Sequence, residues 1–284
     1  MELQELLKKV RQIEFKTKKL SKELFSGNYA STFKGRGMSF SEVRAYTYGD
    51  DIRNIDWNVT SRSGEPFVKE YEEERELTFM LLIDISSSMD FGSMQRKRDF
   101  VAEIAATLAF SSLKNNDKVG VLFFTDRIEK YIPPKKGKLH ILRIIRELLE
   151  TEPTGNQTDI GEALRFLHNT LKKRTTAFIL SDFLESNSFE KELSLVQAKH
   201  QIYGIRIEDD AEYHFENLGL IQLYNAEKET FEWVNAKNEA HKIQETISAN
   251  AIESEKIFRK KGLGFAHLNG KESFVPILSK MFKG

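Results

Sequence analysis

The chain has 284 residues, of which 40% are hydrophobic, and it contains no cysteine. This length and apolar content exclude general disorder and suffice for a large buried core, and the lack of cysteine excludes thiol chemistry and cysteine-based zinc sites. The 43 Lys and Arg residues balance the 43 Asp and Glu residues, so the chain carries no global positive charge for binding nucleic acid.

The first predicted element is a helix over residues 1–24, where Leu3, Leu6, Leu7 and Val10 recur at helical spacing. This segment is charged and amphipathic, unlike a signal peptide. No apolar run approaches the roughly 18 residues that cross a bilayer. We therefore expect a cytoplasmic protein without direct membrane insertion.

Residues 25–76 have a different texture, in which glycines punctuate short aromatic runs. These glycines are Gly27, Gly35, Gly37, Gly49 and Gly64. Such punctuation is typical of short strands joined by turns. The segment therefore predicts a small β-rich module in front of the main domain.

Residues 77–210 alternate between short apolar runs and helical patterns. The runs are Thr78–Asp84, Val119–Thr125, Thr175–Asp182 and Gln201–Ile207. Nearly continuous apolar runs of this length are typical of strands buried on both faces. The alternation predicts an α/β fold with a mostly parallel sheet between helices.

Residues 211–284 are expected to complete this fold. Leu220–Tyr224 and Thr230–Val234 flank a polar turn and predict a hairpin. A long helix over 236–260, a last strand over Gly264–Leu268 and a closing helix over Glu272–Phe282 follow.

Polar side chains stand where two of the buried strands end. The first strand runs into Asp84-x-Ser86-x-Ser88, the third run ends in Asp182, and Thr158 opens a helix between them. Ligands of open α/β sheets bind at the carboxyl ends of the strands. Two carboxylates and three hydroxyls form an all-oxygen ligand set, which suits Mg²⁺ or Mn²⁺.

Each of these residues also has an ordinary structural role open to it. A strand-end Asp such as Asp84 or Asp182 can simply form a turn or cap a helix. Thr158 or Asp159 can cap the following helix, with Glu162 completing a capping box. No candidate general base stands beside the predicted metal, which favours capture of an external carboxylate over hydrolysis.

These residues resemble the metal-ion-dependent adhesion site of von Willebrand factor A domains. Asp84, Ser86, Ser88, Thr158 and Asp182 match its five positions. The resemblance covers about residues 77–210 and implies a von Willebrand A-like domain. Such a domain would bind Mg²⁺ or Mn²⁺ and a partner protein whose acidic residue completes the metal shell.

The N-terminal module resembles a bacterial family, domain of unknown function 58, which joins it to a von Willebrand A-like domain. The matching residues that we take as partner-binding or interdomain candidates are Arg36, Glu42, Arg44, Asp50, Asp51, Arg53, Asp56, Trp57 and Arg62. The charged members can form a buried ion network that docks the module, or a binding surface. Trp57 suits a core anchor better than a stacking platform, and Arg36 between two glycines can bind phosphate.

This family is typically encoded beside MoxR-type AAA+ ATPases. The resemblance therefore implies a non-enzymatic adaptor that works with such an ATPase in chaperone-like assembly or maturation of other proteins. One alternative is a Mg²⁺-dependent phosphohydrolase with Asp84 as nucleophile, although Ser86 replaces the second aspartate of the D-x-D signature. A nucleic-acid binder is the other alternative, which the zero net charge disfavours.

Overall fold

The computed structural model describes residues 3–24, 38–73, 77–92, 96–184, 188–212, 220–225 and 230–283. Two compact units divide the chain. One unit lies within Phe33–Leu77, and the other holds the N-terminal helix together with the chain from Thr78 onwards.

The smaller unit contains a two-stranded antiparallel sheet. Strand β1 (Met38–Ala45) pairs with β2 (Phe67–Glu73) through a register shift between Phe40 and Glu42. A 3-10 turn (Ile52–Asn54) and the short helix α2 (Trp57–Ser63) lie between the two strands. The β-rich module is thus present, with a helix that the glycine pattern did not predict.

The larger unit is built on a six-stranded sheet. Its strands are β3 (Thr78–Asp84), β4 (Lys118–Phe124), β5 (Ile128–Lys135), β6 (Thr176–Ser181), β7 (Gln201–Ile207) and β10 (Gly264–Leu268). They lie in the order β10-β7-β6-β3-β4-β5, and only the β4–β5 pair is antiparallel. The predicted α/β architecture with a mostly parallel sheet is confirmed.

Seven helices and a hairpin accompany this sheet among the described residues. The helices are α1 (Leu3–Leu24), α3 (Lys97–Asn115), α4 (Lys138–Glu150), α5 (Ile160–Thr170), α6 (Glu190–Gln197), α7 (Ala236–Lys260) and α8 (Phe274–Lys283). The hairpin consists of β8 (Leu220–Asn225) and β9 (Thr230–Asn235). All four features predicted for the C-terminal segment are present: the hairpin, the long helix, the strand Gly264–Leu268 and the closing helix, which begins at Phe274 and not at Glu272.

The two faces of the sheet bury different side chains because alternate residues of a strand point to opposite sides. Met80 and Leu82 of β3 belong to the core beneath α5, α6 and α7. Helices α1, α3, α4 and α8 pack together as a second group. Since β3 is covered on both sides, every residue from Phe79 to Asp84 is buried.

Strand β5 is the element that the apolar pattern did not reveal. It carries Pro133 and Pro134, which lack the N–H group that a central strand requires. The strand occupies the edge of the sheet, where only one neighbour needs hydrogen bonds. An edge position therefore accommodates the two prolines, and the three-residue connection between Phe124 and Ile128 explains the antiparallel direction.

Among the described residues, no helix combines the length and the apolar composition that crossing a membrane requires.

The central position of β3 predicts a large cost for deleting its core side chains. Leu82→Ala should lower the free energy of unfolding by about 2–5 kcal/mol, because it leaves a cavity in a fully packed layer. Leu139→Ala, at an 83% exposed position of α4, is the control and should change it by less than about 0.5 kcal/mol. Urea denaturation compares them, and equal costs would contradict this account of the core.

Candidate metal centre

The five predicted ligands lie at the carboxyl edge of the central sheet. Asp84 is the last residue of β3, and the 3-10 turn Ser87–Asp90 follows it. Asp182 directly follows β6, and Thr158 precedes α5. Because β3 and β6 are neighbouring parallel strands, their carboxyl ends open at the same edge. The chain crosses there from one half of the sheet to the other, which is where such folds bind ligands.

Asp84 is the centre of the hydrogen bonds at this edge. Its Oδ1 accepts from the Ser86 backbone N–H at 2.9 Å. Its Oδ2 accepts from the Ser181 hydroxyl at 2.7 Å and from the Thr158 hydroxyl at 3.2 Å. The side chain is only 1% exposed, so these donors fix the orientation of a buried carboxylate.

The three hydroxyls of the predicted site lie side by side. The Ser86 Oγ is 3.0 Å from the Thr158 Oγ1 and 3.2 Å from the Ser88 Oγ. Ser87 joins the two loops, since its hydroxyl donates to the Asn156 carbonyl at 3.0 Å. Ser86 is buried, whereas Ser88 and Thr158 are half-buried. The oxygen atoms therefore gather around one point whose outer side is accessible.

Thr158 contributes to this cluster and does not cap the following helix. The cap of α5 is Asp159, whose carboxylate accepts from the Glu162 backbone N–H at 2.8 Å. The Thr158 hydroxyl donates to Asp84 and Ser86 instead. Asp159 is therefore the helix cap, and Thr158 is a member of the hydroxyl cluster.

The loop that carries Thr158 is held by Glu129 at the start of β5. The Glu129 carboxylate accepts from the backbone N–H groups of Thr154 at 3.0 Å and Gly155 at 2.8 Å. A Cβ atom at Gly155 would stand 1.9 Å from the Asp126 Oδ1, so a larger residue there would displace the Asp126 carboxylate.

Asp182 is held by a buried ammonium group. Its Oδ2 accepts from the Lys97 Nζ at 3.2 Å, and its Oδ1 from the Leu184 backbone N–H at 3.3 Å. The next residue, Phe183, has a φ of 54°, a left-handed conformation that is strained for a bulky side chain. The Phe183 ring is buried against Phe265 at 5.1 Å between centroids. Packing therefore maintains the strained turn that places Asp182.

The charge of this cluster and its donor atoms fit a hard divalent cation. Burial, with the nearby charge of Asp182, raises the pKa of Asp84 to about 6. The described residues contain no group of three or more His, Cys, Asp or Glu side chains suited to a metal, so a cation at this edge would depend on the hydroxyls as well. Oxygen donors with two carboxylates are the set that Mg²⁺ and Mn²⁺ prefer.

Sequence patterns did not identify four residues that shape the site: Ser181, Glu129, Lys97 and Glu212. Ser181 stands beside Asp182, so its place at the strand end was an available signal. Lys97 begins α3, where a positive charge opposes the helix dipole, and this is a weaker signal. No local pattern marks Glu129 or Glu212.

The charged candidates of the N-terminal module pair with one another inside that module. Arg44 makes two parallel hydrogen bonds to the Asp50 carboxylate, at 2.7 and 2.8 Å. This guanidinium holds the pKa of Asp50 well below its usual range. Arg53 pairs with Asp51 at 2.8 Å in an exposed position. These pairs are local, and docking of the module stays a prediction.

The remaining candidates of this module do not converge on a site. Asp56 caps α2 by accepting from the Asn58 and Val59 backbone N–H groups. The expectation of a core anchor at Trp57 is wrong, because this first residue of α2 is 69% exposed. Glu42 and Arg62 are exposed as well, and Arg36 lies outside the described residues.

Comparison with known proteins identifies relatives over most of the chain. The model of a family described as protein of unknown function DUF58 matches residues 42–256. Uncharacterized proteins of Mycobacterium bovis and Mycobacterium tuberculosis are each 28% identical over 221 residues, which cover 77% of this chain and 70% of each relative.

Solved structures show a more distant similarity. BatB from Bacteroides thetaiotaomicron is 13% identical with a TM-score of 0.47, over 73% of this chain and 97% of that chain. The SpRpn10 VWA domain is 10% identical with a TM-score of 0.37, over 72% of this chain and 93% of that chain. Similarities at this level carry no functional information.

The raised pKa of Asp84 predicts that neutralising this residue stabilises the metal-free protein. The folded state disfavours the charged form, so the penalty is absent below the ordinary value of 3.8 and complete above about 6. Asp84→Asn should therefore raise the free energy of unfolding at pH 7 by about 1–3 kcal/mol, and the gain should shrink towards pH 4.

Urea denaturation in EDTA at both pH values measures this effect. Asp126→Asn is the control, because Arg127 lowers the pKa of Asp126 and its neutralisation should not stabilise the fold. A wild type more stable than Asp84→Asn at pH 7 would contradict the electrostatic account of the site.

Proposed function

The chain belongs to the family of proteins of unknown function DUF58, and from this premise we propose that it is a non-enzymatic, metal-dependent protein-binding adaptor. Its metal ligands are Asp84, Ser86, Ser88, Thr158 and Asp182, and its metal is Mg²⁺ or Mn²⁺. Its partner presents an acidic residue to this site. A MoxR-type AAA+ ATPase is the partner class that the resemblance of the N-terminal module favours.

The observation that carries this proposal is the clustering of three neutral hydroxyls, those of Ser86, Ser88 and Thr158, beside one buried carboxylate. Ser86 and Thr158 lie within hydrogen-bonding distance of each other and of Asp84. Asp182 is the second carboxylate, and the Lys97 ammonium already neutralises part of its charge. When bound, Mg²⁺ or Mn²⁺ supplies a positively charged coordination position for a carboxylate oxygen of the partner.

The protein groups around this position orient the ligands and exclude water from their inner side. Asp84 and Ser86 are buried beneath the loops, whereas Ser88 and Thr158 stand at the accessible side. A partner carboxylate therefore approaches from the side of these two hydroxyls. Donors fixed in this way need little reorganisation on binding, which favours affinity.

The same geometry argues against the alternative of a phosphohydrolase. A nucleophilic carboxylate needs an accessible oxygen with a free lone pair. Both oxygens of Asp84 accept hydrogen bonds, and Oδ2 accepts two. Asp182 is engaged by Lys97 and Leu184, so it is poorly placed to act as a general base. Metal binding needs only the acceptor position that stays open on the Asp84 Oδ1, because a carboxylate has about four such positions and three of them are used.

Removing one hydroxyl ligand should weaken metal binding without unfolding the protein. Ser86→Ala is expected to bind Mn²⁺ and Mg²⁺ at least about tenfold more weakly than wild type. Ser112→Ala is the matched control, because Ser112 is equally buried and bonds only to the Ala109 carbonyl of its own helix. Isothermal titration calorimetry measures both. Equal affinity in Ser86→Ala and wild type would reject the site.

Partner capture should depend on the metal if the adaptor function is correct. Wild type and Ser86→Ala, immobilised in Mg²⁺ or in EDTA, are exposed to lysate of the source organism, and mass spectrometry identifies the retained proteins. We expect a MoxR-type ATPase or a discrete client with wild type in Mg²⁺ alone. The same proteins in all four conditions would show that the metal does not hold the partner.

A phosphatase assay distinguishes the phosphohydrolase alternative from the adaptor. Incubation with p-nitrophenyl phosphate and Mg²⁺ is expected to give no turnover. Turnover that Asp84→Asn abolishes would replace the adaptor proposal with the phosphohydrolase.

A further inference from the structure

Lys97 is a buried cation that lies between the metal site and a third carboxylate. Its ammonium contacts Asp182 at 3.2 Å and also contacts the Glu212 carboxylate. The side chains of Lys97 and Asp182 are each 2% exposed, and that of Glu212 is 8% exposed. Three ionisable groups therefore form one buried chain that ends at a predicted metal ligand.

The backbone holds both ends of this chain of groups in place. Lys97 is the first residue of α3, and its backbone N–H donates to the Phe91 carbonyl at 2.9 Å. Glu212 belongs to the 3-10 turn after β7, and its second oxygen accepts from the Asp209 backbone N–H at 3.1 Å. The ammonium is thus positioned by two segments that are far apart in sequence.

Neither helix stability nor solvation explains a lysine at this position. A positive charge in the first turn of a helix opposes the helix dipole, and burial of an ammonium costs solvation energy. Burial lowers the pKa of Lys97, but the charges of Asp182 and Glu212 outweigh this effect and raise it above its ordinary value. The lysine therefore stays charged because two carboxylates hold it.

We infer that Lys97, anchored by Glu212, is an internal counter-ion for Asp182 that sets the metal affinity of the site. This inference rests on the proposed function. The ammonium occupies Asp182 Oδ2 and neutralises part of its charge, so Asp84 is the main charged group that attracts a cation. The site then binds free metal weakly and leaves more positive charge for the carboxylate of the partner.

Coulomb interactions give the direction in which Lys97 and Glu212 each change the metal affinity. Lys97 repels a divalent cation, and Glu212 both attracts it and draws the ammonium away from Asp182. Lys97 is in direct contact with Asp182, and Glu212 contacts the same ammonium. Removing both groups should strengthen metal binding, whereas removing only the charge of Glu212 should weaken it.

Metal titration of two variants tests the inference directly. Lys97→Met combined with Glu212→Gln preserves the net charge of the chain and is expected to bind Mn²⁺ about tenfold more tightly than wild type. Glu212→Gln alone is expected to bind it about tenfold more weakly. Isothermal titration calorimetry with Mn²⁺ as the only ligand measures both affinities.

A matched control comes from the same helix. Glu103 of α3 pairs with Lys16 of α1 at 2.6 Å. Lys16→Met combined with Glu103→Gln makes the same chemical exchange at another ion pair. This variant should bind Mn²⁺ with wild-type affinity, and circular dichroism verifies that each variant is folded.

The outcomes separate this inference from the proposed function. Binding by wild type and the Lys97/Glu212 double variant with equal affinity, or weaker binding by that variant, overturns the counter-ion role alone. Absence of binding by both proteins overturns the metal site and the counter-ion role with it. If the double variant does not fold, Glu212→Gln decides, and unchanged or tighter binding by this single variant overturns the inference.

Discussion

Two carboxylates buried side by side at the ends of neighbouring strands are the constraint on which the rest of this site depends. Asp84 and Asp182 follow β3 and β6, which pair in parallel, so the fold forces like charges together. Burial of unpaired carboxylates is strongly unfavourable. Hydroxyl donors, backbone N–H groups and the Lys97 ammonium offset this cost. The arrangement suits the binding of a cation better than it suits stability.

The loops around these carboxylates are held by residues outside the predicted ligand set. Glu129 gathers the backbone N–H groups of the Thr158 loop, and the aromatic core around Phe183 maintains the turn after Asp182. Ligand positions fixed by packing and hydrogen bonds favour recognition of one geometry. The sheet and the two loops held by these contacts therefore present the hydroxyls of Ser88 and Thr158 at an accessible surface.

The N-terminal module follows a different physical logic. Its charged residues satisfy each other at short sequence separation, as Arg44 and Asp50 do. The sequence predicts Trp57 inside a core, because large aromatic residues are usually buried. It lies exposed at the start of a seven-residue helix. The glycine pattern predicted the presence of this module, but it did not predict which of its side chains are exposed.

The parallel strands of the sheet were predictable from the amino-acid sequence alone. Buried strands read as continuous apolar runs, and the limits of Thr78–Asp84 and Gln201–Ile207 agree with the structure. Which side chains meet at the strand ends depends on how distant segments pack. Lys97 lies 85 residues from Asp182 and 115 from Glu212, and β5 reaches its edge place despite two prolines. Local sequence patterns predict whether a segment is buried. They do not predict contacts between distant segments, because these form only when the helices pack on the sheet.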